Sequence, residues 1–106
     1  MFKGHIATGT VTGTGAALNV SLGFSPKVVA IINETDPGLY LWTDTMANAE
    51  MLKLVDSTVA LTFPTSNGVS TYAGSIAANP KGFTIGADAD MNAASDVLHY
   101  IAIGGE

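Results

Sequence analysis

The feature that most constrains the fold is a run of apolar residues, Val28 to Ile32, with no polar residue inside it. Successive side chains of a β-strand point to opposite faces of a sheet, so a strand with one solvated face alternates between apolar and polar residues. This run does not alternate. We therefore expect a strand with both faces covered, either by a second layer of the same chain or by another chain.

The end of the chain repeats this pattern. In the segment from Asp96 to Ile103, both sets of alternate residues are largely apolar. A two-layer sandwich in which both strands are inner strands is the economical explanation for the two segments. Burial against another copy in an oligomer is the competing explanation.

Short strands separated by turn residues are predicted along the whole chain. They cover residues 3–12, 16–22, 28–33, 39–42, 58–63, 69–76, 82–85 and 96–103. Residues 46–56 are rich in good helix formers and predict a short helix or a helical loop. We predict one all-β domain over residues 1–106, an antiparallel β-sandwich or barrel-like jelly roll of about seven to eight short strands, with one short helix at most.

Glycine-rich and proline-containing segments mark the turns. The sequences "TGTG" (residues 12–15) and "PTSNG" (residues 64–68) predict hairpins, and "ETDPG" (residues 34–38) predicts a tight turn. The threonine-rich opening predicts an edge hairpin, which can add to a neighbouring sheet through main-chain hydrogen bonds. Val11 and Thr12 are therefore candidate residues of an intersubunit contact.

The chain is poor in charged residues. Only 12% of its residues are charged, against about 25% in an ordinary soluble domain. The net charge is −5 and arginine is absent, which argues against a nucleic-acid surface. No stretch approaches the roughly 20 apolar residues of a membrane span, and no apolar leader segment is evident. We expect no membrane partner, and a surface this poor in charge favours assembly.

Motifs of catalysis are not evident in the sequence. It has two histidines, no cysteine, and none of the phosphate-binding, zinc-protease or nucleophile-elbow patterns. His99 lies in an apolar strand, which favours a hydrogen-bonded histidine in the core or at an interface over a catalytic base. We expect a protein that is not an enzyme and needs no cofactor.

Two patterns have a functional and a structural interpretation. Asp88, Asp90 and Asn92 follow the opening spacing of a calcium loop, but the glycine and the glutamate that complete such a loop are missing, so turn capping is favoured. Tyr40 and Trp42 share one face of their strand. An exposed pair of aromatic residues on one strand face serves as a sugar-binding platform or a protein contact. Burial in the core is the commoner role of such a pair, and we favour it for Tyr40 and Trp42.

Two stretches resemble small virion proteins of tailed bacteriophages. The run Gly13 to Asn33 is similar to their opening segment, with its "LGF-P-V" core, and the run Gly82 to Gly104 is similar to their closing segment with its "HYIA" strand. The resemblance implies a non-enzymatic structural component of the virion. The first hypothesis is a capsid decoration (cement) protein that binds copies of itself, as a homotrimer, and a major capsid protein. The second hypothesis is a receptor- or carbohydrate-binding module of a tail fibre or spike. Either protein would be made in the host cytoplasm and end up in the virion.

Overall fold

The computed structural model describes residues 4–56, 60–73 and 81–105, and the regular structure in these ranges is entirely β. The strands are β1 (Gly4–Thr12), β2 (Leu18–Ser21), β3 (Pro26–Asn33), β4 (Gly38–Thr43), β5 (Leu52–Val55), β6 (Ala60–Thr62), β7 (Val69–Tyr72), β8 (Gly82–Ile85) and β9 (Val97–Gly105). These nine strands confirm the predicted all-β fold and add one strand to the predicted number.

The strands form two antiparallel sheets that pack as a β-sandwich. The larger sheet has the order β1-β9-β3-β4-β5-β6, and the smaller sheet has the order β2-β8-β7. The strands predicted to be inner, β3 and β9, are adjacent and lie inside the larger sheet. The first and last strands along the chain are also neighbours, since β1 pairs with β9 over its whole length.

The core lies between the two sheets. Alternate residues of the larger sheet point inward, including Ile31 and Leu98, and meet Phe83 and Ile85 of β8. All four side chains are fully buried. The ring of Phe83 contacts Tyr100 of β9 edge to face, with 5.4 Å between ring centroids, a geometry that aromatic pairs favour.

The predicted hairpins at residues 12–15 and 64–68 are wrong. Strands β1 and β2 belong to different sheets, and so do β6 and β7. The turn at residues 34–38 does join a hairpin, because β3 pairs directly with β4. Turn residues show that the chain changes direction, but they do not show whether the next strand stays in the same sheet.

The predicted helix within residues 46–56 is also wrong. The segment forms turns followed by β5, which pairs with β4 on one side and β6 on the other. Both pairings use backbone groups that a helix would bond within itself. Of the other predicted strands, residue 3, residues 58–59 and residues 74–76 lie outside the described ranges.

Candidate interaction surface

The larger sheet has an outward face that the smaller sheet does not cover. We call it the outer face and define it by the outward-pointing side chains of the six strands. The strand registers arrange its apolar members in rows across the sheet. They are Ile6 of β1, Val97, Ile101 and Ile103 of β9, Val28, Ala30 and Ile32 of β3, Leu39 and Leu41 of β4, Leu52 and Leu54 of β5, and Leu61 of β6.

Most of these side chains are exposed to solvent, and Ala30, Leu41, Leu52 and Val97 are half-buried. Ile32 is 43% exposed, Ile101 is 41% exposed, and Leu61 at the β6 edge is 61% exposed. The second face of Val28 to Ile32 is therefore not covered by the described part of this chain. The position of these strands inside a two-layer sandwich therefore explains why their inward face is apolar. It does not explain why their outward face is apolar.

The outer face is almost free of charge. Among its described strand positions the polar residues are threonines and His99, and the one charged residue is the exposed Lys27 at the register shift near the start of β3. Charged side chains begin at its margin, where Glu34 contacts His99 and where Lys27 forms an exposed ion pair with Asp44 at 3.4 Å. A patch of apolar side chains bordered by polar groups is typical of a surface that binds another macromolecule.

The smaller sheet provides a contrast within the same molecule. Its outward row is polar, with Asn19 and Ser70 on either side of Thr84. The hydroxyl of Thr84 donates a hydrogen bond to the Asn19 side chain at 2.7 Å. Its inward positions are apolar apart from Thr71 at the end of β7, and most are buried, so this sheet largely shows the ordinary alternation of a solvated antiparallel sheet. The larger sheet departs from that alternation on its outer face alone.

An open apolar hollow of about 400 Å³ lies at one margin of the outer face. Leu39 and Leu54, a cross-strand pair of the outer face, form part of its lining. Pro37 and Gly38 of the hairpin, Val55 at the end of β5, and Asp56 complete it. The hollow therefore extends the apolar surface beyond the sheet.

Tyr40 and Trp42 lie in the core. Tyr40 is 0% exposed and Trp42 is 1% exposed, and the indole nitrogen of Trp42 donates to the carbonyl oxygen of Ala47 at 3.2 Å. The favoured interpretation of this pair as core residues is confirmed. The alternative of a binding platform at these two residues is wrong, because neither ring reaches the surface.

The hydroxyl group of Tyr40 is enclosed without a hydrogen-bond partner among the described residues. Burial, followed by the nearby negative charges of Asp88 and Asp90, raises the pKa of this phenol above its ordinary value. The phenol is therefore held in its neutral form.

Asp88 and Asp90 converge on an ammonium group. Lys53 Nζ lies 2.8 Å from Asp88 Oδ2 and 2.8 Å from Asp90 Oδ2. Asp88 Oδ1 also accepts hydrogen bonds from the backbone nitrogens of Asp90 and Met91, which confirms the favoured prediction of turn capping. The described residues contain no group of three or more His, Cys, Asp or Glu side chains placed to hold a metal ion.

Burial and charge act on Lys53 in opposite directions. Burial alone would lower its pKa, but the hydrogen bonds and charges of Asp88 and Asp90 outweigh burial and raise the pKa of Lys53 above its ordinary value. Lys53 points into the sandwich from β5, between the outward residues Leu52 and Leu54. The sequence analysis missed it, because one lysine between leucines gives no sign of a buried ion pair.

Asn92 is turned away from this ion pair and is fully buried. Its amide nitrogen donates to the carbonyl oxygens of Ala16 at 2.8 Å and Gly86 at 3.0 Å, and its amide oxygen accepts from the backbone nitrogen of Thr14 at 2.9 Å. The three candidate calcium residues therefore do not converge on one point. Asn92 ties the β8–β9 loop to the segment that follows β1.

A second buried amide holds the same loop. Asn33, at the end of β3, donates to the carbonyl oxygen of Met91 at 3.1 Å and to the carboxylate of Asp96 at 2.9 Å. Its own oxygen caps the turn after β3 by accepting from the backbone nitrogens of Thr35 and Asp36. The sequence analysis missed this role as well. The side chains of Asn33 and Asn92 therefore have a structural role, because their hydrogen-bond partners lie within the fold.

The remaining candidate residues lie near the β1 side of the larger sheet. His99 is on the outer face and partly exposed, with Thr10 opposite it on β1 at 3.4 Å between the hydroxyl oxygen and Nδ1. It is therefore a surface residue and not a core residue. Thr12 lies on the outer face, whereas Val11 points inward and packs against the core.

Two further observations complete the description of the surface. Within the described ranges, no helix is long and apolar enough to cross a membrane. Compared with family models, with curated proteins and with solved structures, the chain gives no significant match in any of the three comparisons. The surface itself is therefore the feature of this chain that points to a function.

Proposed function

We propose that this chain is a structural assembly protein without a catalytic role, and that another protein surface covers its outer face in the assembled state. The observation that carries the proposal is the apolar outer face, whose one charged strand residue, Lys27, is paired with Asp44, beside a smaller sheet whose outward row is polar. Burying such a face removes apolar area from water without leaving a charge unpaired. The same physical reasoning predicts poor tolerance of charge on this face.

The size of the outer face fits this role. At about 3.3 Å per residue and about 4.8 Å between strands, the six strands span roughly 600 Å² in projection. A stable protein interface takes about 800 Å² of accessible surface from each partner. Because side chains make the accessible area larger than its projection, the face alone approaches a standard interface.

Within this class, we propose a capsid decoration protein of a tailed bacteriophage. The resemblance of residues 13–33 and 82–104 to small virion proteins supports this assignment. So does the physical role, because a decoration protein has to adhere to a broad and fixed surface, which a two-layer β domain with one apolar face can do. Its partners would be the major capsid protein and copies of itself, on the surface of the virion.

The alternative of a receptor- or carbohydrate-binding module has lost its main support. It depended on an exposed platform at Tyr40 and Trp42, and both residues are buried. No pair of aromatic rings lies on the outer face among the described residues, where the side chains are aliphatic or threonine apart from His99 and Lys27.

The test is co-sedimentation of the protein with expanded, undecorated heads of the phage of origin. We expect the wild type to sediment with the heads, and the double variant Ile32→Lys/Ile101→Lys to bind at least about tenfold more weakly, because two charges would be buried unpaired. The matched control is Asn19→Lys/Thr84→Lys on the polar row of the smaller sheet, which should bind like the wild type. Failure of the wild type to sediment, or equal binding by both double variants, would overturn the proposal.

A further inference from the structure

The larger sheet ends in a long edge strand. Strand β1 pairs with β9 from Gly4 to Thr12 without a shift in register, and no described strand pairs with its other side. The backbone groups on that side are therefore available to another chain. An edge of this kind is a template for adding a further strand.

Two hydrogen bonds determine which backbone groups point outward. The backbone nitrogen of Gly13 donates to the carbonyl oxygen of Asp96 at 2.8 Å, and that of Glu34 donates to Val97 at 3.1 Å. In an antiparallel ladder the bonded side alternates from one residue to the next. When this alternation is continued along β1, both bonds indicate that the N–H and C=O groups of the odd-numbered residues point toward β9. The N–H and C=O groups of Ile6, Thr8, Thr10 and Thr12 consequently point to the open edge.

The open edge lacks the features that usually protect an edge strand. Strand β1 contains no proline and no Asp, Glu, Lys or Arg, and its nine residues are mostly threonine, glycine and aliphatic residues. The opposite edge of the same sheet is different, because β6 has three residues and is closely followed by Pro64. Natural sheets discourage edge pairing by short strands, by proline and by charge. Only the β6 edge of this sheet has such features.

We propose that β1 pairs antiparallel with β1 of a second copy, about a two-fold axis at Thr8. In this register Thr8 lies opposite its own counterpart, and Ile6 lies opposite Thr10. Each outward backbone group of one copy then meets an outward group of the other, which is the fullest pairing the edge allows. An uncharged strand also pairs with itself without like-charge repulsion, although the whole chain carries a net charge of −5.

A second copy fits this edge for two further reasons. Ile6 is 73% exposed, and the proposed register places a neighbouring strand beside it. The residues whose backbone points outward are also those whose side chains lie on the outer face, so the pairing keeps both outer faces on the same side of the joined sheet. The contact closes at two copies, and in this respect it departs from the homotrimer expected from the sequence.

The joined sheet would present a doubled apolar surface of roughly 1,200 Å² in projection, from the same strand dimensions. This use of the pair rests on the proposed function, since it assumes that the outer face binds a shell. The pairing itself does not depend on it. A two-fold pair would bind a regular lattice through two faces at once, which strengthens attachment without any new contact.

The first test compares Thr8→Pro with Thr8→Ala in sedimentation equilibrium, in the absence of heads. Proline removes the outward N–H of Thr8 but none of the bonds from β1 to β9, whereas alanine keeps that N–H. We expect dimers for the wild type and Thr8→Ala, and a dimer dissociation constant raised at least about tenfold for Thr8→Pro. Far-ultraviolet circular dichroism and thermal unfolding check that Thr8→Pro remains folded.

The second test does not depend on that variant. The chain has no cysteine, so Thr8→Cys introduces a single thiol. Directly opposed Cα atoms in a hydrogen-bonded antiparallel pair are about 5.5 Å apart, within the reach of a disulfide. We expect Thr8→Cys to form a covalent dimer under mild oxidation much faster than the control Thr84→Cys, which places its thiol on the smaller sheet.

A wild type that stays monomeric at all concentrations, or equal cross-linking by the two cysteine variants, would overturn the inference. A dimer that Thr8→Pro leaves unchanged would overturn it as well. If a monomer binds heads through its outer face, the proposed β1 pairing is wrong and the proposed function stands. If the protein forms a β1-paired dimer that does not bind heads, the pairing stands and the proposed function is wrong.

Discussion

The ammonium group of Lys53 lies 2.8 Å from a carboxylate oxygen of Asp88, and little solvent reaches either side chain. The side chain of Lys53 is 17% exposed and that of Asp88 is 10% exposed. Asp88 also caps the turn that begins the β8–β9 loop. This pair therefore connects β5 of the larger sheet to the loop that leads into β9.

We expect Lys53→Met to lower the free energy of unfolding by about 1–3 kcal/mol, because it leaves a largely buried carboxylate without its partner. Urea denaturation measures the change. The control is Lys27→Met, which removes the exposed ion pair with Asp44 and should cost less than about 1 kcal/mol. Equal losses in the two variants would contradict a structural role for Lys53.

The enclosed hydroxyl group of Tyr40 leads to a second prediction. Removing a buried polar group that has no partner is neutral or stabilising when the shape of the side chain is kept. We expect Tyr40→Phe to leave the free energy of unfolding at pH 7 unchanged or to raise it by up to about 1–2 kcal/mol. A loss of stability on this substitution would show that the hydroxyl has a partner after all.

The same residue makes the stability depend on alkaline pH. The ordinary pKa of tyrosine is 10.0, and the pKa of Tyr40 in the folded chain is higher. Above about pH 10 the unfolded chain loses this proton while the folded chain keeps it, so stability falls as pH rises. The raised pKa of Lys53 acts with the same sign, since its contribution is complete below its ordinary pKa and is lost above it.

Unfolding in urea at a series of pH values between neutral and strongly alkaline tests this dependence. The free energy of unfolding should decline above about pH 10, and the decline should be shallower in Tyr40→Phe and in Lys53→Met than in the wild type. An identical slope in all three proteins would contradict the assignment of the pH dependence to these two groups.

The fourth prediction concerns Asn92, whose amide bonds tie the β8–β9 loop to the segment after β1. Asn92→Ala removes the amide partner of the carbonyl oxygen of Gly86 and of the N–H of Thr14, while the carbonyl oxygen of Ala16 keeps its bond from the Thr14 hydroxyl, so we expect a loss of about 2–4 kcal/mol. The control is Asn19→Ala, which removes one exposed hydrogen bond and should cost less than about 1 kcal/mol. Thermal unfolding of both variants provides the comparison.

The sequence pattern was most informative where both faces of a strand are apolar. It predicted β3 and β9 as strands and raised the question of what covers their second faces. The error at residues 46–56 has a different cause. Leu52, Lys53 and Leu54 alternate, but β5 has only four residues and follows a segment rich in helix formers, so the alternation is too short to distinguish a strand from a helix.

The pairing partners of the strands and of the buried polar groups could not be predicted from the sequence, for a physical reason. Pairing of β1 with β9 and the contacts of Asn33 and Asn92 join residues far apart along the chain. Local composition carries information on turns and strand propensity, but it does not specify which distant segments meet. Lys53 illustrates the same limit, because its two carboxylate partners lie more than thirty residues away.

The pairing of β1 with β9 also has a kinetic consequence. Gly4 is the Cα partner of Gly105, so the earliest described strand to leave the ribosome finds its partner only when the last one has been made. Contacts between such distant segments form slowly, because a long loop must close before the contacts contribute any stabilisation. During synthesis β1 therefore has two open edges, and nascent chains crowded on one messenger would be especially prone to premature association.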